Sequence, residues 1–176
     1  MAGYTLSELE EIQQRWKLRF PADLVELMLM RRPLLEGGFD WLRTPVAKIE
    51  AIMNWPLKGL LFDLKNNALW WPEWGRKPTA PEDQERTLAH IVSRAPKLIP
   101  LYGHRYLPET PCEEGNPVFS VYQSDVIHYG VDLDDWIFAE EGDWKLARVS
   151  DPRALPKEIA FWSELVRRNG PIRTSD

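Results

Sequence analysis

The chain has 176 residues and a single cysteine, Cys112, so it builds no internal disulfide and no cysteine-rich zinc site. No apolar run approaches the roughly 20 residues a helix needs to cross a bilayer. Met1-Ala2-Gly3-Tyr4-Thr5 holds no basic region followed by an apolar one, so no secretory signal is expected and the protein is expected in the cytoplasm. Gly-x-Gly-x-x-Gly, a phosphate-binding loop and Gly-x-Ser-x-Gly are all missing, which speaks against nucleotide binding and serine-hydrolase chemistry. Basic residues are missing from one stretch. Between 109 and 143 lie ten acids and no Lys or Arg, leaving 17 acids and 22 bases elsewhere. Such a field repels nucleic acid and attracts a basic partner. No basic stripe opposes it, because Arg31-Arg32 and Arg167-Arg168 are helix-end pairs that the helix dipole explains.

What is present is apolar and aromatic. A hydrophobic fraction of 44% is enough for a core and fits one domain over 1–176, with an N-terminal and a C-terminal helix packed on it. Nine tryptophans serve core and rim packing or an aromatic interaction surface.

Thr5 with Glu8 three residues on is a capping box, and Leu6, Leu9, Ile12 and Trp16 recur at helical spacing, predicting a helix that ends near Lys17. Pro21 opens a second, largely buried helix bearing Leu24, Val25, Leu27, Met28 and Met30, and Pro33 closes it. Gly37-Gly38 leads to a short strand over 39–42. Thr44-Pro45 starts a third helix with Val46, Ile49, Ile52 and Met53, closed by Trp55-Pro56. Residues 59–64 and 68–71, joined by Lys65-Asn66-Asn67, read as a hairpin. A helix over 79–97 follows, with Pro81, Glu82 and Asp83 in its first turn. Residues 97–130 are the densest strand-forming stretch. Central strands are expected at 98–102, 118–122 and 126–129, with Gln123-Ser124-Asp125 as a turn. Asp132 caps a helix over 133–140 that Gly142-Asp143 ends. A linker at 151–155 precedes a last helix from Pro156 to Arg168, capped by Gly170. This order argues for an α+β fold with a single mixed, mostly antiparallel sheet covered by helices.

The loop over 103–117 gathers His104, Arg105, Cys112, Glu109, Glu113 and Glu114, with His128 on a following strand. Glu113 and Glu114 oppose thiolate formation at Cys112, so a cysteine nucleophile is not expected. No pair has the short fixed spacing of a zinc site. His104-Arg105-Tyr106 reads as a structural knot, with Arg105 paired to a carboxylate and Tyr106 in the core. No catalytic, cofactor-binding or metal-binding residue is expected. A small-molecule site would need a pocket with convergent polar groups around His104 and His128. Asp132-Leu133-Asp134-Asp135 looks like the start of a calcium loop but lacks the Gly and distal Glu. Trp70 and Trp71 on a strand would point to opposite faces. One would be covered, for instance by the helix carrying Trp162; an exposed one beside the rigid Pro72 loop is a candidate anchor for a partner.

Several blocks together resemble a known family. Phe20-Pro21-Ala22-Asp23-Leu24 with Gly37-Gly38 is similar to the opening signature of the SUKH superfamily, in its Smi/Knr cell-wall-assembly-regulator-like branch. Gly59-Leu60-Leu61-Phe62-Asp63, Trp70-Trp71-Pro72-Glu73-Trp74-Gly75, the run from Leu98 to Pro108, the run from Gly115 to Gln123, and Phe161-Trp162 resemble blocks of a bacterial subgroup of that branch. Phe20 stands where the family usually has Leu. The resemblance implies one mixed, mostly antiparallel sheet covered by helices. It also implies a non-enzymatic role. Bacterial members are immunity proteins of polymorphic or contact-dependent toxin systems, and eukaryotic relatives are regulatory scaffolds. The family offers no catalytic motif to carry over.

The expected function is therefore protein binding, with a basic toxin domain as partner, no nucleic acid and no membrane. The alternative is a regulatory scaffold that binds a cellular protein. The candidate contact residues are Trp71, Trp74, Glu109, Glu113, Glu114, Asp132, Asp134 and Asp135.

Overall fold

The structure, a computed structural model, describes residues 3–142 and 155–169. Helix α1 (Leu6–Trp16) starts as its sequence dictates. Thr5 Oγ1 accepts from the Glu8 N–H, and the Glu8 carboxylate accepts from the Thr5 N–H. Lys17, at φ 52°, ends it. Helix α2 (Ala22–Met30) follows Pro21 and buries Leu24, Leu27 and Met28. Arg32 then ties the start of the chain together: Nε donates to Asp40 at 2.8 Å, Nη1 donates to Glu8 at 2.7 Å, and the guanidinium lies 4.6 Å from the Tyr4 ring centre.

Residues 39–42, expected as a strand, form a turn. Asp40 organises it, its Oδ1 accepting from the N–H groups of Leu42 and Arg43 while its own N–H donates to Thr44 Oγ1. Local side-chain acceptors of this kind outcompete a sheet ladder.

Helix α3 (Val46–Asn66) overturns two expectations. It does not stop at Trp55-Pro56, and residues 59–64 are helical rather than the first strand of a hairpin. Pro56 has no N–H to give to the carbonyl four residues back, which would normally break the helix. The Tyr106 hydroxyl donates to that carbonyl, Ile52 O, at 2.8 Å. Past the proline, Leu60, Asp63 and Leu64 are buried at helical spacing. The second half of the expected hairpin is absent too. Ala68, at φ 54°, turns the chain away from α3, and Pro72–Trp74 is a 3-10 turn. Helix α4 (Pro81–Arg94) begins with its proline and is shorter than the expected 79–97.

The sheet has strands β1 (Leu98–Tyr102), β2 (Arg105–Pro108), β3 (Val118–Tyr122) and β4 (Asp125–Gly130) in the order β1-β2-β3-β4. Every pairing is antiparallel, so the sheet is not mixed. Strand β2 lies inside the stretch expected to be loop. It is four residues long, contains no β-branched residue and ends in proline, which hides it from propensity. Gly59 of α3 passes so close to the β3–β4 turn that a Cβ there would stand 2.8 Å from Gln123 Cα. Asp63, one turn on, is buried and accepts from the Ser124 N–H at 2.8 Å and the Ser124 hydroxyl.

Helix α5 (Leu133–Glu141) is capped by Asp132 and ended by Gly142 at φ 64°. Helix α6 (Trp162–Arg168) is shorter than the expected helix from Pro156, because Phe161 at φ 69° bars helical geometry just before it. The expected cap Gly170, the acid Asp143 and all of the linker but Leu155 lie outside the described residues.

Side chains alternate across the strands and feed two cores. On one face, Ile99, Leu101, Leu107 and Val118 pack with α1, α2, Trp41, Ile49 and the buried side of α5. On the other, Tyr106, Phe119, Val121 and Val126 pack with Leu60 and Leu64 of α3, Leu88 of α4, and Trp162 and Leu165 of α6. The fold is thus α+β, a four-stranded antiparallel sheet between two helical layers. Among the described residues no helix is long and apolar enough to cross a membrane.

Candidate functional site

Antiparallel pairing decides which connections share an end of the sheet. The loop from β2 to β3 and the turn from β4 into α5 emerge at the same end, where Val118 pairs with Gly130. The first carries Glu109, Glu113 and Glu114; the second carries Asp132 and leads into the first turn of α5 with Asp134 and Asp135. Six acids separated by up to 26 positions in sequence therefore converge on one end of the molecule.

The 109–117 loop is built rather than loose. Buried Asn116 donates from Nδ2 to the Pro108 and Pro111 carbonyls at 3.1 and 2.7 Å. Asp23, in the first turn of α2, accepts from the Gly115 N–H at 2.8 Å. Burial pushes the Asp23 carboxyl up, against the pull of its backbone donors, and the nearby Glu114 charge adds to the rise.

The acidic segment is base-free in sequence but not in space. The Arg19 N–H donates to Glu109 at 3.1 Å. Lys157 Nζ lies 3.6 Å from Glu113 and donates to the Glu114 carbonyl. Glu140 lies 3.3 Å from Arg105, and Glu141 lies 2.8 Å from Arg31. Asp132 and Asp135 also do local work: Asp132 accepts from the Asp135 N–H, and Asp135 accepts from the Val131 N–H. Glu113 and Glu114 remain exposed. With Glu113 69% exposed, its pair with Lys157 contributes only ~0–1 kcal/mol and is readily exchanged for another cation.

The two candidate tryptophans belong to an aromatic cluster. Trp71 and Trp74 have ring centres 4.5 Å apart, and each lies within 6.5 Å of Phe161. Arg168 covers Trp71 at 4.2 Å and pairs with Glu73 at 2.9 Å. Both tryptophans are half-buried. They stand in irregular chain and a 3-10 turn, so the strand alternation expected for Trp70 and Trp71 does not apply, and cover comes from Phe161 and Arg168. Phe161 carries strain. At φ 69° and ψ −54°, with the Trp162 N–H donating to the Ala160 carbonyl at 2.9 Å, it forms the rare, strained kind of γ-turn. Such a conformation costs on the order of 1–3 kcal/mol and persists only where surrounding packing enforces it.

Lys157 and Phe161 join the two features. Phe161, in the tryptophan cluster, is four positions on from Lys157, on the acidic loop, so their Cα atoms are at most about 14 Å apart. The sequence does not flag Lys157, and it offers Phe161 only as part of the Phe161-Trp162 block, because each gains its role through a contact with a distant segment.

The histidines and the cysteine do not assemble. Cys112 sits in the acidic-end loop, its thiol donating to the Phe20 carbonyl at 3.7 Å. His104 is in the β1–β2 turn at the other end, against Tyr122. His128 lies in the second core against Phe119, its Nε2 buried without a hydrogen-bond partner. Burial lowers the pKa of both histidines. Arg105, expected to pair with a carboxylate, does so with Glu140 while lying 3.7 Å from the Tyr129 ring centre, and Tyr106 is fully buried. No group of three or more His, Cys, Asp or Glu among the described residues is arranged to hold a metal ion.

No family model, no curated protein and no solved structure matches this chain.

Proposed function

We propose that this chain is a non-enzymatic protein-binding module, an immunity protein that neutralises a bacterial polymorphic or contact-dependent toxin by occluding it, as the resemblance to the SUKH superfamily implies. One observation supports the reading most. The sheet brings Glu109, Glu113, Glu114, Asp132, Asp134 and Asp135 to a single end, beside a strained aromatic cluster that includes Trp71 and Trp74. Acidic surface next to half-buried tryptophan suits a basic groove, such as the substrate groove of a nuclease. Charge complementarity speeds capture, which matters when the partner is lethal in the cytoplasm.

Pull-down from the native cell, with Glu113→Lys/Glu114→Lys as comparison, tests this. The expected result is a basic toxin domain whose association slows about tenfold or more on charge reversal and weakens with salt. Co-expression of that domain should be lethal without this chain and harmless with it. Capture of a non-toxic cellular protein would favour the scaffold reading. A partner of acidic surface, bound equally by the reversed variant, would overturn the electrostatic mechanism.

A further inference from the structure

At the end of the sheet opposite the acidic loops, α3, the 103–104 turn and the end of β3 line an open cleft of about 340 Å³. Its sides are aromatic. The Trp55 and Tyr122 rings lie 6.3 Å apart at 55°, and His104 meets Tyr122 edge-on at the same distance. Trp55 is 45% exposed and Tyr122 53%, so both rings present a face to solvent. Ala51, Gly103, Ile52 and Tyr106 complete the lining, and the Tyr106 hydroxyl is spent on the Ile52 carbonyl, so Ile52 and Tyr106 present carbon to the cleft.

The side-chain charge lining this space has one sign, and the carboxylate that acts on His104 from behind, Glu140, is paired with Arg105. Lys48 is the charged side chain lining it, and no carboxylate does. Among the described residues Lys48 has no ion-pair partner, and the positions three and four away from it (Thr44, Pro45, Ala51 and Ile52) carry no acid. Aromatic walls alone would also suit a cation, but Lys48 opposes one. His104, its pKa lowered by burial, supplies an imidazole donor and acceptor rather than a second charge.

We propose that this cleft is a small-molecule site for a planar aromatic anion of about two fused rings. The ring body lies against the exposed faces of Trp55 and Tyr122 and the anionic group meets Lys48. The volume falls at the lower end of the range for small-ligand clefts, roughly 300–1,000 Å³, which fits such a ligand and not a folded partner. The site is independent of the acidic end and stands whether or not the protein neutralises a toxin.

Titration of the whole chain with 2-naphthoate, read by amide chemical shifts on a nitrogen-15-labelled sample, tests the assignment. Saturable binding is expected, with shifts concentrated at Lys48, Trp55, His104 and Tyr122. The cation 2-naphthylmethylammonium, with the same rings, should bind about tenfold more weakly or worse. Lys48→Glu should reverse that order, and Trp55→Ala should weaken both ligands about tenfold. Both positions are exposed, so folding should survive; Tyr122→Ala serves as a further variant. The proposal is overturned by no saturable binding of millimolar 2-naphthoate, by equal binding of the two probes, or by Lys48→Glu without effect. Self-association that Trp55→Ala abolishes would also overturn it, assigning the cleft to a second copy.

Discussion

The Tyr106 hydroxyl donates at 2.8 Å to the Ile52 carbonyl, the oxygen in α3 whose helical donor would have been the nitrogen of Pro56. A side chain from the sheet thus completes a helix that its own sequence interrupts. Tyr106→Phe should strand that carbonyl and cost about 1–3 kcal/mol in chemical denaturation, with the fold kept. In a Pro56→Ala background the new N–H supplies the missing bond, so the same change should cost clearly less. A double-mutant cycle with no coupling between the two positions would show that the bond does not stabilise α3.

Gly59 invites a misjudged stabilisation. Replacing an interior helical glycine by alanine gains about 1 kcal/mol from propensity. Here the added methyl meets Gln123 Cα at 2.8 Å, and a backbone atom gives way less easily than a side chain. Overpacking of this kind costs about 1–3 kcal/mol, so Gly59→Ala should be a net loss. A raised melting temperature would contradict the close approach of α3 to the turn.

Asp63 joins α3 to the same turn by accepting from the Ser124 N–H and hydroxyl, and it also accepts from Nδ2 of Asn67 at the end of its own helix. Asp63→Ala leaves the partly buried Ser124 donors unpaired and should cost on the order of 1–3 kcal/mol. Asp63→Asn keeps an acceptor and should cost less. Equal losses in the two variants would mean that packing, not hydrogen bonding, matters there.

Acid should weaken the fold before the carboxylates titrate. The pKa values of His104 and His128 lie below the ordinary 6.5 when folded, chiefly through burial, so the unfolded chain takes up protons that the folded chain refuses. Their contribution is complete above 6.5 and is lost as pH falls through the folded values. Denaturation between about pH 7 and pH 5 should show falling stability, and His128→Phe should flatten the slope. Stability that holds or rises on acidification across that window would contradict the burial of these rings.

Local chemistry was legible in the sequence. The Thr5–Glu8 capping box, the Asp132 cap and three of the four strands are written in residues close together along the chain. The failures share one physical cause. Pro56 breaks a helix by every local rule, and its remedy lies 54 residues away in Tyr106. Leu60-Leu61-Phe62 is a short apolar run that fits strand or helix, and only the buried spacing of Leu60 and Leu64 decides. Strand β2 is defined by its two neighbours rather than by its composition. The candidate site divides in the same way. The acidic bias of 109–143 is visible directly, but its gathering at one end depends on β2, and its partial neutralisation depends on Lys157, Arg105 and Arg31 from elsewhere in the fold.

The strand order bears on how quickly the molecule assembles. Each strand pairs with its sequence neighbour, and two of the three connections, 103–104 and 123–124, are two residues long. Closing such short connections sacrifices little chain entropy, and topologies rich in near-neighbour contacts cross their folding barriers quickly. The meander can therefore form as an early template on which the helices from the first half of the chain condense. The rate should respond most to substitutions at the two tight turns. Changes in α1 and α2 should instead hasten unfolding.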